Sequence, residues 1–273
     1  YKKKCLIALM FFPTIYFLGW ILISPLAVIF PFLETNKSLY GTLITFILFL
    51  VCLPFWSKSR WGKNIINTTG LSDLGKNKKS NILFEFLLSS LIVLILALFI
   101  QFCGYAEINL NISFSILLNS LFLGLFVGIA EELVFRIWLY EELRLIFNAK
   151  FANLIQALIF ALAHIRFNFQ ILSNFQLFIG LFLLALYLNS WRRRPYQNIL
   201  LPICFHGTIV GLWFFINNAI LSLSDNIPKI LFGPSLAGTL NPIGGSIAII
   251  ILLILNLFQN SIFDVFLSAN GRT

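Results

Sequence analysis

Five ionisable side chains fall within otherwise apolar stretches of this chain: Glu131, Glu132, Arg136, His164 and His206. The sequence has only two histidines, and both are in this set. Placing such a group at membrane depth costs about 2.5 to 3.5 kcal/mol on insertion scales, so each needs a partner or a function. Glu131, His164 and His206 come from three separate apolar segments. If they converge, they could hold and activate a water, stabilise a developing oxyanion, or ligate a metal. A glutamate poorly solvated by water is a usable general base near neutral pH. Hydrolysis is the chemistry that suits the trio, on a substrate that is itself apolar.

Spacing separates the two glutamates. Residues four apart stack on one helical face, and Glu preceding Arg at that spacing is a favourable ion pair. Glu132 and Arg136 have this relation, and pairing lowers the cost of both charges. Glu131 is turned about 100° from Glu132 and stands five residues from Arg136, a poor spacing for the same pair. One carboxylate is therefore structural and the other faces something else. The plainer alternative, two glutamates at an exposed helix end, sits badly with the apolar residues on both sides, 121–130 and 133–140. His164 ends the run Phe160-Ala-Leu-Ala-His164, near Ala157, Ala161 and Ala163, and His206 precedes Gly207. Small residues let membrane helices approach closely. A lone membrane histidine is usually hydrogen-bonding glue; two of them with an unpaired glutamate make a constellation. No HExxH or GxSxG motif occurs.

The elements that must carry these residues are membrane helices. Of the 273 residues, 59% are hydrophobic and only 11% charged, against roughly half and a quarter in soluble domains. Mean hydropathy is +0.94. About 20 apolar residues cross about 30 Å of hydrocarbon as a helix. About eight such segments are expected, near 5–32, 39–56, 81–103, 113–139, 151–168, 174–191, 198–217 and 243–262. The first contains Pro13 and Pro25, which predict a kink or tilt. It is too long for a signal peptide and lacks a small-residue cleavage site, so it reads as a retained helix. The expected fold is an all-α polytopic bundle forming a single membrane domain over 1–273. A basic interfacial loop is expected at 57–80, and a hairpin or re-entrant loop at 218–242, where Pro228, Gly233, Pro234 and Gly238 cluster. Cys5, Cys52, Cys103 and Cys204 are scattered along apolar segments and read as buried apolar side chains.

Charge gives an orientation. With eight spans, one side holds Lys2, Lys3, Lys4, Lys58, Arg60, Lys63, Lys76, Lys78, Lys79, Arg144, Lys150, Arg192, Arg193, Arg194 and Arg272; the other holds only Lys37, Arg166 and Lys229. The bias places both termini on the cytoplasmic (or stromal) side. The net charge of +9 then faces anionic lipid headgroups, and no nucleic-acid partner is needed to explain it.

Glu131-Glu132-x-x-x-Arg136, Phe160-x-x-x-His164 and His206, in that order and each on an apolar segment, resemble the motifs of the CPBP family, the CAAX proteases and bacteriocin-processing (Abi) proteins. The resemblance covers roughly 81–217, the family core, and Leu71-Ser-Asp73-Leu74-Gly75 looks like the stretch that often precedes it. It implies a CAAX-protease-like bundle of eight helices around a cytoplasm-open cavity. By that resemblance Glu131 is the general base, His164 and His206 position water or stabilise the oxyanion, and Arg136 holds Glu132. Phe160 supports the second motif. A divalent metal such as Zn2+ on Glu131, His164 and His206 is an argued role in the family, although no cofactor is required. The implied substrate is a hydrophobic or lipidated peptide.

One position departs from the family pattern. The family has Asn four residues after the last histidine, where this chain has Val210. An amide there can donate to an oxyanion and valine cannot; losing such a donor costs on the order of 10²–10³ in rate. The departure leaves three readings open: a slow site, recruitment of Asn217 or Asn218, or loss of proteolysis. Two functions follow, an intramembrane endopeptidase and a non-proteolytic scaffold or assembly factor in a larger membrane complex. A transporter ranks last, because the halves show no internal symmetry. The orientation is testable: a reporter active only in the cytoplasm should be active when fused after Thr273, and an inactive fusion would reverse the assignment.

Overall fold

Apolar length and small-residue spacing decide how this chain folds. The computed structural model describes residues 2–71, 76–166, 169–193, 198–236 and 239–269. Among them, six helices are long and apolar enough to cross a membrane: Met10–Ile29, Lys37–Trp61, Asn81–Phe102, Phe114–Arg144, Ile171–Arg192 and Leu200–Ile220. Two shorter apolar helices, Ala149–Ala163 and Ser246–Gln259, match the other expected segments. The chain is an all-α, multi-pass integral membrane protein. Its large exposed apolar side chains, such as Phe17, Leu98, Leu121 and Leu257, have the exposure that a lipid-facing surface requires. Two compact units can be described, Tyr1–Ser72 and Asp73–Thr273.

In the first unit, α1 (Lys2–Ile29) runs helical through both Pro13 and Pro25. A 3₁₀ turn, Pro31–Asn36, leads into α2 (Lys37–Trp56). The two helices bury Ile15, Ile23 and Ala27 with Phe49 and Leu53. A Cβ on Gly19 would lie 2.2 Å from Thr45 Oγ1, so this crossing needs a glycine. Beyond α2 come a π-turn at Ser57–Trp61 and the short α3 (Ile65–Thr68), whose cap Asn64 accepts a hydrogen bond from Ile66 N at 3.0 Å. The expected 57–80 loop is thus partly helical, and it ends early because the next helix begins at Lys76. The stretch 72–75, including most of the Leu71–Gly75 resemblance, lies outside the described residues.

The second unit begins with α4 (Lys76–Phe102) and β1 (Ala106–Ile108). Ser113 accepts from Ile116 N to cap α5 (Phe114–Glu131), which continues as a π-helix, Glu132–Leu139, and α6 (Tyr140–Arg144). Asn148 caps α7 (Ala149–Ala163). Then follow α8 (Ile171–Leu188), a 3₁₀ turn Asn189–Arg193, α9 (Leu200–Phe215), a π-turn Ile216–Ile220 and β2 (Leu221–Leu223). β1 and β2 pair antiparallel, Ala106 opposite Leu223 and Ile108 opposite Leu221. The expected 218–242 hairpin takes form as α10 (Lys229–Phe232), then β3 (Ser235–Leu236) and β4 (Thr239–Leu240) paired antiparallel. The turn Pro242–Gly244 leads into α11 (Ser246–Ala269). The hairpin reaches into the bundle: Trp213 Nε1 donates to Leu240 O at 2.7 Å, and Gly180 of α8 abuts the Ile243 carbonyl.

The crossing of α5 and α9 sets the site. Gly124 and Gly128 face Gly207 and Gly211 across it. A Cβ on Gly207 would lie 2.6 Å from Gly124 O, and one on Gly211 2.7 Å from Ser120 O. Backbone meets backbone, the close approach that small-xxx-small spacing permits in membranes. Around this crossing packs a buried core that includes Phe160, Leu184, Phe205, Ile209 and Leu252. Overpacking a filled core costs about 1–3 kcal/mol. Gly207→Val should therefore lower the unfolding midpoint in detergent, whereas Val210→Ala at a half-buried position on the same helix should change it far less.

Candidate active site

Glu131 is the last residue of α5 and Glu132 the first of the π-helix. Arg136 lies one turn on, and its Nε is 3.1 Å from Glu132 Oε2. Both side chains are sealed, with no exposed surface. The Arg136 guanidinium also lies over the face of Phe160, 4.2 Å from the ring centroid, a favourable placement for a buried cation. The expected pair is thus present, and Glu131 is turned away from it.

His164 follows the last turn of α7. Its backbone N–H bonds to Ala161 O, leaving the Phe160 carbonyl to the imidazole, whose Nδ1 lies 2.7 Å away. His206 lies within α9, and its Nδ1 is 2.8 Å from Glu132 Oε1. Glu132 therefore does two jobs: one oxygen holds Arg136 and the other orients His206. The sequence pattern assigns only the first, because nothing local links positions so far apart in the chain.

These partners set the tautomers. A carbonyl can only accept, and a carboxylate paired with arginine is ionised, so both Nδ1 atoms carry hydrogen. In a neutral ring, each Nε2 is then a bare acceptor. Both point at one atom: Glu131 Oε2 lies 3.3 Å from His164 Nε2 and 3.9 Å from His206 Nε2. At 3.3 Å, His164 Nε2 is within ion-pair distance of this oxygen, a contact that holds when the imidazole is protonated. Glu131 and His164 are part-exposed, at 25% and 31%, while the Glu132–Arg136 pair beneath is sealed. Phe160 floors the site, with ring centroids 4.6 Å from His164 and 6.0 Å from His206.

The three sequence-derived residues thus meet, with Glu132, Arg136 and Phe160 supporting them. As metal ligands they do not fit: among the described residues no three His, Cys, Asp or Glu side chains are arranged to hold an ion. The neighbours considered as substitutes for the absent asparagine both lie beyond the end of α9. Asn218 Nδ2 is committed to Phe214 O at 2.7 Å, and Asn217 lies in the π-turn beyond α9. The sequence pattern also passes over Arg192, a cytoplasmic charge by the orientation count. In the structure its side chain is 13% exposed and pairs with Glu141 at 3.2 Å.

A multi-pass helical bundle enclosing a glutamate–histidine site is the class these features define. Within it, residues 113–212 match the sequence family described as type II CAAX prenyl endopeptidase Rce1-like. That stretch contains Glu131, Glu132, Arg136, Phe160, His164 and His206, so the CAAX-protease resemblance is shown on the segment that builds the site. Residues 2–65 match a domain of unknown function, DUF8676, which lies within the first of the two units. No curated protein matches the chain.

The sealed pair has a measurable signature. Removing one partner of a buried ion pair costs about 3–5 kcal/mol, because the other charge stays buried alone. Glu132→Ala should therefore be strongly destabilised in denaturant titrations, and Glu131→Ala, at the part-open position, much less. Equal losses would contradict the division of labour between the two glutamates.

Proposed function

We propose that the chain is an intramembrane endopeptidase that cleaves a hydrophobic or membrane-anchored peptide with a water activated by Glu131. The observation that carries this reading is the convergence of two imidazole Nε2 atoms on one carboxylate oxygen, at 3.3 and 3.9 Å. A water bound there donates one hydrogen to Glu131 Oε2 and the other to a ring Nε2. Its lone pair is then directed outward, toward a peptide carbonyl. As the water oxygen attacks, Glu131 takes the proton; it passes that proton to the amine nitrogen as the C–N bond breaks. With their Nε2 atoms unprotonated, His164 and His206 position the water rather than donate to the oxyanion. Glu132 keeps His206 in this tautomer, and Arg136 keeps Glu132 ionised. No step runs through a metal. The match over 113–212 to a CAAX prenyl endopeptidase family supports a lipidated peptide as the first substrate to try.

A second reading, a non-proteolytic scaffold or assembly factor bound to a larger membrane complex, draws on Val210 and on the commitment of the Asn218 amide to Phe214. The two readings separate in one experiment. Purified protein in liposomes is given a prenylated C-terminal peptide and an unlipidated hydrophobic peptide. Cleavage should occur, and Glu131→Gln should lower its rate by about 10²–10⁴-fold, the span of general-base catalysis. Cleavage equally fast in Glu131→Gln would refute the assigned base. No cleavage of either peptide, with stable co-purification of a complex indifferent to residue 131, would favour the scaffold.

A further inference from the structure

We propose that Arg192 is a positioning residue for this site, acting through the backbone of Arg136. The inference deepens the endopeptidase reading and rests on it for the kinetic effect only.

The π-helix at Glu132–Leu139 creates a need. In an α-helix the Arg136 carbonyl would accept from the N–H four residues on. That donor, Tyr140 N, is turned instead to Ile137 O and Phe135 O. Arg192, from the 3₁₀ turn after α8, supplies a donor: its Nη2 lies 2.6 Å from Arg136 O, while Nη1 reaches Glu141 Oε1 at 3.2 Å. Its guanidinium carbon is 4.0 Å from the Tyr140 ring centroid and 4.7 Å from that of Trp191. Two anchor points and two aromatic walls leave the planar fork little freedom, a role an ammonium cannot reproduce.

The consequence runs to the chemistry in short steps. Arg192 fixes the Arg136 backbone; the Arg136 side chain holds Glu132; and Glu132 orients His206. The Nδ1 of His164 is held instead by its own helix carbonyl at Phe160, and Arg136 meets that residue only through the face of the Phe160 ring. Loss of Arg192 should therefore disturb one histidine and spare the other. A purely structural role would move both or neither.

Because the chain has two histidines, isotope-labelled imidazole nitrogens report on each separately. In Arg192→Met the His206 Nδ1 resonance should shift, with that of His164 unchanged. On a cleaved peptide, kcat should fall about 10- to 100-fold, the usual effect of removing a partner that orients a reactive group, with KM within about two-fold. Arg192→Lys keeps the charge and should show the same one-sided shift; it decides the matter if the methionine variant does not fold. Unchanged His206 resonances in a folded variant, or equal changes at both histidines, would overturn the assignment. If the wild type cleaves nothing, the kinetic comparison falls with the endopeptidase reading, and the resonances alone decide the role of Arg192.

Discussion

A guanidinium and a carboxylate without exposed surface persist inside a bundle only as partners, and the Glu132–Arg136 pair is the constraint from which this site follows. Each charge left alone would carry a desolvation penalty of several kcal/mol. Glu132 cannot swing out to find another cation, so its second oxygen remains available inside the protein. His206 fills that place, and its far nitrogen is thereby aimed at Glu131. Glu131 and the two histidines sit where they do because a structural pair beneath them has no freedom to move.

That arrangement demands that α5 and α9 nearly touch. Glu132 and His206 meet across this crossing, and the four glycines there bring the two helices to backbone contact. The crossing is also tied at a second place, where the β1–β2 ladder joins the segment before α5 to the segment after α9. Packing, not local helix preference, therefore sets the distance between the carboxylates and the ring. His164 arrives by a different route, on α7, which packs against α8.

Much of this is legible in the sequence, and the limits have physical causes. The spans can be read because hydrophobic length is a one-dimensional property; six long helices and two short ones fall where eight segments are expected. The Glu132–Arg136 pair can be read because four residues make one turn. The Glu132–His206 bond cannot, since its partners lie 74 positions apart and only tertiary packing joins them. The π-helix leaves no mark in hydropathy, so the donor its diverted carbonyl takes from Arg192 stays hidden. By composition Arg192 is one more charge in a basic run; its setting between Tyr140 and Trp191 is a tertiary fact. Glu85 is similar: it opens an apolar segment, yet is 2% exposed and accepts a hydrogen bond from Tyr187 at 3.1 Å.

The length of α7 has its own consequence. Fifteen residues rise about 22 Å, well short of about 30 Å of hydrocarbon, while the continuous helical run from Phe114 to Arg144 has 31 residues. A stretch that short is accommodated by local thinning of the bilayer, by snorkelling of flanking residues or by oligomerisation. With thinning, headgroups and their hydration shells would come closer along that flank to the helix end that bears His164.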